Sequence, residues 1–101
     1  MVEATLRQCL QTPLAVQLAC MRTMLTTDLR RDFASVDVPV TIVHGALDQS
    51  TPLETCGVPA AALLPSCDLR VYDEAAHGIF VTHRAEVVAE LRRAVGTRLA
   101  T

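Results

Sequence analysis

The chain has 101 residues, 50% of them hydrophobic and 20% charged, which is the balance of a globular domain with a core and excludes a disordered tail. Nine basic residues against eleven acidic ones leave a net charge of −2, so no positive field exists to hold a phosphate backbone and nucleic acid is not an expected partner. No apolar run reaches the ~18 residues of a membrane span, and the opening MVEATLRQCLQTP lacks both the basic and the apolar region of a secretion signal. The expectation is a single soluble domain in the cytoplasm, without a membrane partner.

All nine basic residues are arginine, and Ala, Leu and Val dominate the rest, which reads as a bias toward GC-rich codons and not as chemistry. Cys9, Cys20, Cys56 and Cys67 contain no CxxC pair, and no histidine stands at knuckle spacing from them. Free buried thiols are expected, and neither a disulfide framework nor a structural metal.

Along the chain, Leu6 and Leu10 give residues 1–11 a weak helical pattern. Thr12 as N-cap and Pro13 at the first helical position then open a helix to Thr26, with Leu14, Leu18, Met21 and Leu25 as its buried stripe. Thr27 or Asp28 caps a short polar helix or turn in LRRDFASV, and Pro39 forces the backbone to extend. Val40 to His44, VTIVH, is β-branched with almost no polar alternation, the composition of a parallel strand covered on both faces. Gly45 ends it.

Thr51 and Glu54 form a capping-box pattern for a helix running to about Leu64, which Pro59 should kink or restart. Asp68 to Tyr72 alternates as an edge strand does. A last helix starts at Thr82 or His83 and runs to about Val95. Val88, Leu91 and Val95 form its apolar stripe, Glu86, Glu90, Arg92 and Arg93 face outward, and Gly96 is the C-cap. Helix, strand, helix, strand, helix with so long a crossover predicts a right-handed parallel βαβ unit, and therefore an α/β fold.

In such sheets, reactive groups gather in the loops beyond the strand C-termini. The first of these loops holds Asp48 and the second His77, so both should reach one sheet edge. An Asp that accepts the Nδ1–H of a His fixes its tautomer and stabilises the imidazolium, which makes a base. The plainer alternative is an Asx-turn at Asp48 and a loop-capping role for His77. Of the remaining histidines, His44 reads as a satisfied strand-end residue and His83 as a helix-start residue. Arg30 and Arg31 with Asp28 and Asp32 form a solvated charged turn.

Three stretches, TDLRRDF, VPVTIVHGALDQSTPLET and LRVYDEAAHGIFVTH, give the chain a family likeness. From about Leu10 to Val95 it resembles the C-terminal part of the cofactor-free (non-haem) haloperoxidases of the α/β-hydrolase superfamily, also described as arylesterases or perhydrolases. The resemblance implies that Asp48 and His77 are the second and third members of a Ser, Asp, His triad in that chain order, with neither cofactor nor metal. By position, Ile79 and Phe80 would border the acyl pocket. Residues 1–35 would correspond to the end of the cap region and lead-in helices, and 36–101 to the last two strands and helices of the hydrolase core, together a partial domain. Halogenation would proceed through a peracid formed from a carboxylic acid and peroxide.

The nucleophile elbow of that family, G-x-S-x-G, does not occur in these residues, whose four glycines are Gly45, Gly57, Gly78 and Gly96. Ser50, Thr51 and Cys56 lie near Asp48 but read as capping or core residues. Ester hydrolysis by this chain alone is therefore not expected. Two functions remain: the acid-and-base part of a serine esterase or perhydrolase completed by an N-terminal piece, or a non-catalytic interaction module. In either case the outer edge of VTIVH would lack a neighbour and invite a partner strand or a second copy.

Overall fold

A computed structural model describes residues 1–99, with side chains through Gly96. In chain order the elements are α1 (Val2–Gln11), α2 (Leu14–Thr26), α3 (Arg30–Ala34), β1 (Val40–Gly45), α4 (Gly57–Leu63), β2 (Cys67–Tyr72), α5 (Ile79–Thr82) and α6 (Arg84–Leu99). β1 and β2 pair in parallel from Val40 opposite Cys67 to Gly45 opposite Tyr72, with α4 in the crossover. The fold is α/β: α4 lies against both strands, α3 against α4, and α6 against β1 and α5. This places the two loops after β1 and β2 side by side.

The β-branched run of β1 is half-buried, not covered on both faces, because the described residues provide only one neighbouring strand. α1 and α2 form an arm held at its elbow by Gln17, whose side-chain amide donates to the carbonyls of Cys9 (3.0 Å) and Thr12 (2.8 Å). The stripe expected to be buried on α2 is open to solvent: Leu14, Leu18, Met21 and Leu25 are all more than half exposed, since no described element packs over them. Thr12 does not cap α2. Its hydroxyl donates back to the Gln8 carbonyl at 3.1 Å, closing α1 instead.

The other departures also have local causes. Asp28 accepts the Arg30 N–H at 3.1 Å in an Asx turn, but the N-cap position of α3 is Leu29, so neither Thr27 nor Asp28 caps the helix. No capping box forms between Thr51 and Glu54, because Thr51 turns to Asp48 and α4 starts only at Gly57. With this late start Pro59 falls in the first helical turn, where its missing N–H costs no bond, and the helix continues unbroken to Leu63. α6 runs through Gly96 to Leu99, so Gly96 is not a C-cap. The side of α6 facing the sheet carries Val87, Val88, Glu90 and Ala94, while Leu91 and Val95 are exposed. The four thiols are free, but Cys9, Cys20 and Cys56 are exposed and only Cys67 is half-buried.

Glu90 points inward for an identifiable reason. Its carboxylate accepts the Tyr72 hydroxyl at 3.0 Å and the Arg93 Nε–H at 2.9 Å, while Arg93 also reaches Asp68 at 2.9 Å. Two residues of β2 are thereby tied to two of α6. Hydrogen bonding from Arg93 holds the Glu90 carboxyl below its usual range, and burial raises the Tyr72 hydroxyl.

Candidate active site

The loops after β1 and β2 are joined through their main chains. The Leu47 N–H donates to the Ala75 carbonyl at 2.9 Å, and the Ala46 and Ala75 N–H groups both donate to the Tyr72 carbonyl, at 3.0 and 3.1 Å. Ala75 is completely buried at this joint. Asp48 and His77 follow it on either side.

Asp48 is buried and surrounded by donors. Its Oδ1 accepts the N–H groups of Ser50 and Thr51, both at 2.9 Å, and its Oδ2 accepts the Thr51 hydroxyl at 2.9 Å. The same Oδ2 lies 2.8 Å from Nδ1 of His77. Burial opposes ionisation of Asp48, but the bonds from the Thr51 N–H, His77, the Thr51 hydroxyl and the Ser50 N–H outweigh it and hold the carboxyl well below the usual range. An ionised carboxylate has no proton to give, so Nδ1 of His77 is the donor, and in a neutral ring with that tautomer the lone pair is on Nε2. The imidazole side chain is 61% exposed, so a reacting group can approach it. The arrangement is an oriented base beside a buried counter-charge.

The structure thus brings together Asp48 and His77, the pair expected from their positions after the two strands. Asp48 also forms the Asx-type turn named as the plainer alternative, and a single side chain makes both interactions. Ile79 and Phe80 occupy the first turn of α5, with Ile79 half-buried and Phe80 66% exposed. His44 stays apart: its Nδ1 faces the Gly45 carbonyl at 2.9 Å, and its ring packs on the backbone at Gly57. His44 lines an open apolar groove of about 640 Å³ with Leu25, Phe33, Ile42 and Ala60, and neither Asp48 nor His77 borders it. His83 sits between α5 and α6 with its ring 6.4 Å from that of Tyr72. No described group of three or more His, Cys, Asp or Glu residues could hold a metal ion.

Reading the sequence as helix signals concealed one participant. Thr51 is the residue whose hydroxyl touches both members of the pair, lying 3.3 Å from His77 Nδ1. A hydroxyl three residues after an acidic loop residue and followed by proline is the pattern that could have identified it.

No protein-family profile matches the chain. Over 60 residues, 59% of the chain, it is 35% identical to a non-heme chloroperoxidase of Kitasatospora aureofaciens, and over 64 residues 34% identical to one of Streptomyces lividans. A non-heme haloperoxidase of Rhodococcus erythropolis is 34% identical over 65 residues. The matched stretches span only 22%, 23% and 24% of those relatives. Among solved structures, an α/β hydrolase from the metagenome of Mar Chica lagoon sediments in Morocco superposes with a TM-score of 0.76 at 26% identity, covering 84% of this chain and 38% of that one.

Proposed function

We propose that this C-terminal portion of an α/β-hydrolase fold, similar in sequence to the non-heme haloperoxidases, supplies the acid and the base of a serine-hydrolase triad. Asp48 is the acid and His77 the base, and the serine and oxyanion donors come from polypeptide outside these residues. The observation that carries this reading is the 2.8 Å contact between buried Asp48 Oδ2 and exposed His77 Nδ1.

In this reading His77 Nε2 takes the serine proton as the oxygen attacks an ester carbonyl, and Asp48 stabilises the imidazolium that forms. The proton then passes to the leaving alcohol. Water releases the acyl group as an acid, whereas hydrogen peroxide releases it as a peracid, which oxidises halide without haem or metal. Ile79 and Phe80, two and three residues past the base, border the acyl group.

The surface supports a missing partner. The accessible area is 8080 Å² for 10.9 kDa, against about 5,600 Å² for a compact monomer of that mass. The excess is on the scale of one side of an obligate interface. A non-catalytic interaction module would use the same surface, so activity must decide between the two readings.

The test mixes the chain with a hydrolase segment bearing G-x-S-x-G and follows hydrolysis of a small aryl ester. Restored turnover that falls about 10,000-fold in kcat with Asp48→Asn, and further with His77→Ala, is the expected result, on the scale measured for serine-protease triads. Activity that survives both substitutions removes the triad reading. Tight association with no turnover favours the interaction module.

A further inference from the structure

We infer that Thr51 is a positioning residue, whose hydroxyl clamps the corner where Asp48 Oδ2 meets His77 Nδ1 and so fixes the histidine tautomer; this rests on the acid-and-base reading of that pair. The three atoms form a closed triangle with sides of 2.8, 2.9 and 3.3 Å.

The hydroxyl has no other evident structural task. The Asp48 turn is already closed by the N–H groups of Ser50 and Thr51 on Oδ1, which would remain whatever side chain stood at 51. α4 begins at Gly57, too far along for Thr51 to cap it. The hydrogen bonds of the Thr51 hydroxyl go to Asp48 and His77.

The geometry has a chemical consequence. A hydroxyl carries one proton, and here it is donated to Oδ2, so only lone pairs face Nδ1 of His77. Lone pairs welcome an Nδ1–H and repel a bare Nδ1. The wrong tautomer would set the bare nitrogen against Oδ2, relieved only if the single Thr51 proton left Oδ2 for Nδ1, and would place the ring proton on Nε2, where the base must be free. The imidazole is mostly exposed, and its hydrogen bonds to described residues converge on this one nitrogen. A second contact there limits the swing of the ring about a single bond.

The experiment is nitrogen-15 NMR of the His77 ring in the full 101-residue chain, with Asp48→Asn, Thr51→Val and Thr51→Ser variants. Backbone amide shifts of Ser50 and residue 51 report whether the turn persists. In the parent chain the neutral ring should carry its proton on Nδ1, with slow exchange to water. Thr51→Val keeps the shape but removes the hydroxyl, and should mix the tautomers and speed Nδ1–H exchange roughly tenfold, the loss expected of one hydrogen bond. Thr51→Ser should restore the parent spectrum.

A Thr51→Val ring indistinguishable from the parent, alongside a changed Asp48→Asn ring, overturns the role of Thr51 alone. So does a Thr51→Ser chain that behaves as Thr51→Val. An Asp48→Asn ring identical to the parent overturns the pair itself.

Discussion

At Gly45 the end of β1 passes so close to the loop after β2 that a methyl group would collide with the carbonyls of Ala75 and Ala76. Those atoms are backbone and belong to the joint that places Asp48 and His77. Gly45→Ala should therefore destabilise the chain by about 1–3 kcal/mol, the usual cost of overpacking, measured as a lower urea midpoint. A second effect at this scale follows from Asp48. Its folded carboxyl ionises below the 3.8 of an unfolded aspartate, so its contribution to stability is complete above that pH and is lost as pH falls below it. Urea midpoints measured down to about pH 3 should fall more steeply for the parent than for Asp48→Asn. The meeting of Asp48 with His77 was legible in the sequence, because each stands in the loop after one of two parallel strands and such loops share a sheet edge. Thr51 was not, since the same threonine satisfies a helix-start pattern, and only the tertiary approach of His77 reveals the competing partner.

Elements were legible in type and less so at their ends. The strands were read nearly to the residue, because a β-branched run between Pro39 and Gly45 leaves the backbone few choices. Helix ends shifted where a polar side chain found a tertiary partner stronger than a cap. Thr51 turned to Asp48 and moved the start of α4, and Glu90 turned to Tyr72 and rotated the apolar side of α6 away from the expected stripe. Gly96 gives a test whose sign separates the two descriptions of α6. A left-handed cap would be harmed by a side chain, whereas a helical glycine with open space around it is improved by one. Gly96→Ala should stabilise the chain by about 0.5–1 kcal/mol in thermal unfolding.

At the scale of the whole molecule, a radius of gyration of 15.9 Å exceeds the about 13 Å of a compact chain this long. The difference lies in the α1–α2 arm and in a sheet of two strands. Val40 and Ala46 donate to the β2 side, at 2.9 Å to Ser66 and 3.0 Å to Tyr72. By strand alternation the N–H groups of Thr41 and Val43 then point to the open edge. Hydrogen exchange should accordingly alternate, with Ile42 and His44 protected and Thr41 and Val43 fast. Addition of the serine-bearing hydrolase segment should slow the fast pair, and no change on addition would mean that the edge is not where a partner docks. The unpaired edge followed from the family resemblance, in which the strand matching VTIVH has a further neighbour, whereas composition suggested a strand covered on both faces and nothing in the sequence announced the exposed arm. Leu14, Leu18, Met21 and Leu25 are spaced as a buried stripe, and spacing cannot say which polypeptide provides the cover.

The joint between the two site loops also bears on mutational tolerance. It is made by the Leu47 N–H and the Ala75 carbonyl, which are main-chain atoms that substitutions leave in place, with one exception. Leu47 is 57% exposed, so a saturation library scored for folding should accept almost any side chain there and reject proline, which lacks the donor. Position 75, with no exposed surface, should accept only residues as small as alanine. The geometry of the Asp48–His77 pair is thus guarded by two unremarkable positions, one nearly free to drift and the other nearly frozen.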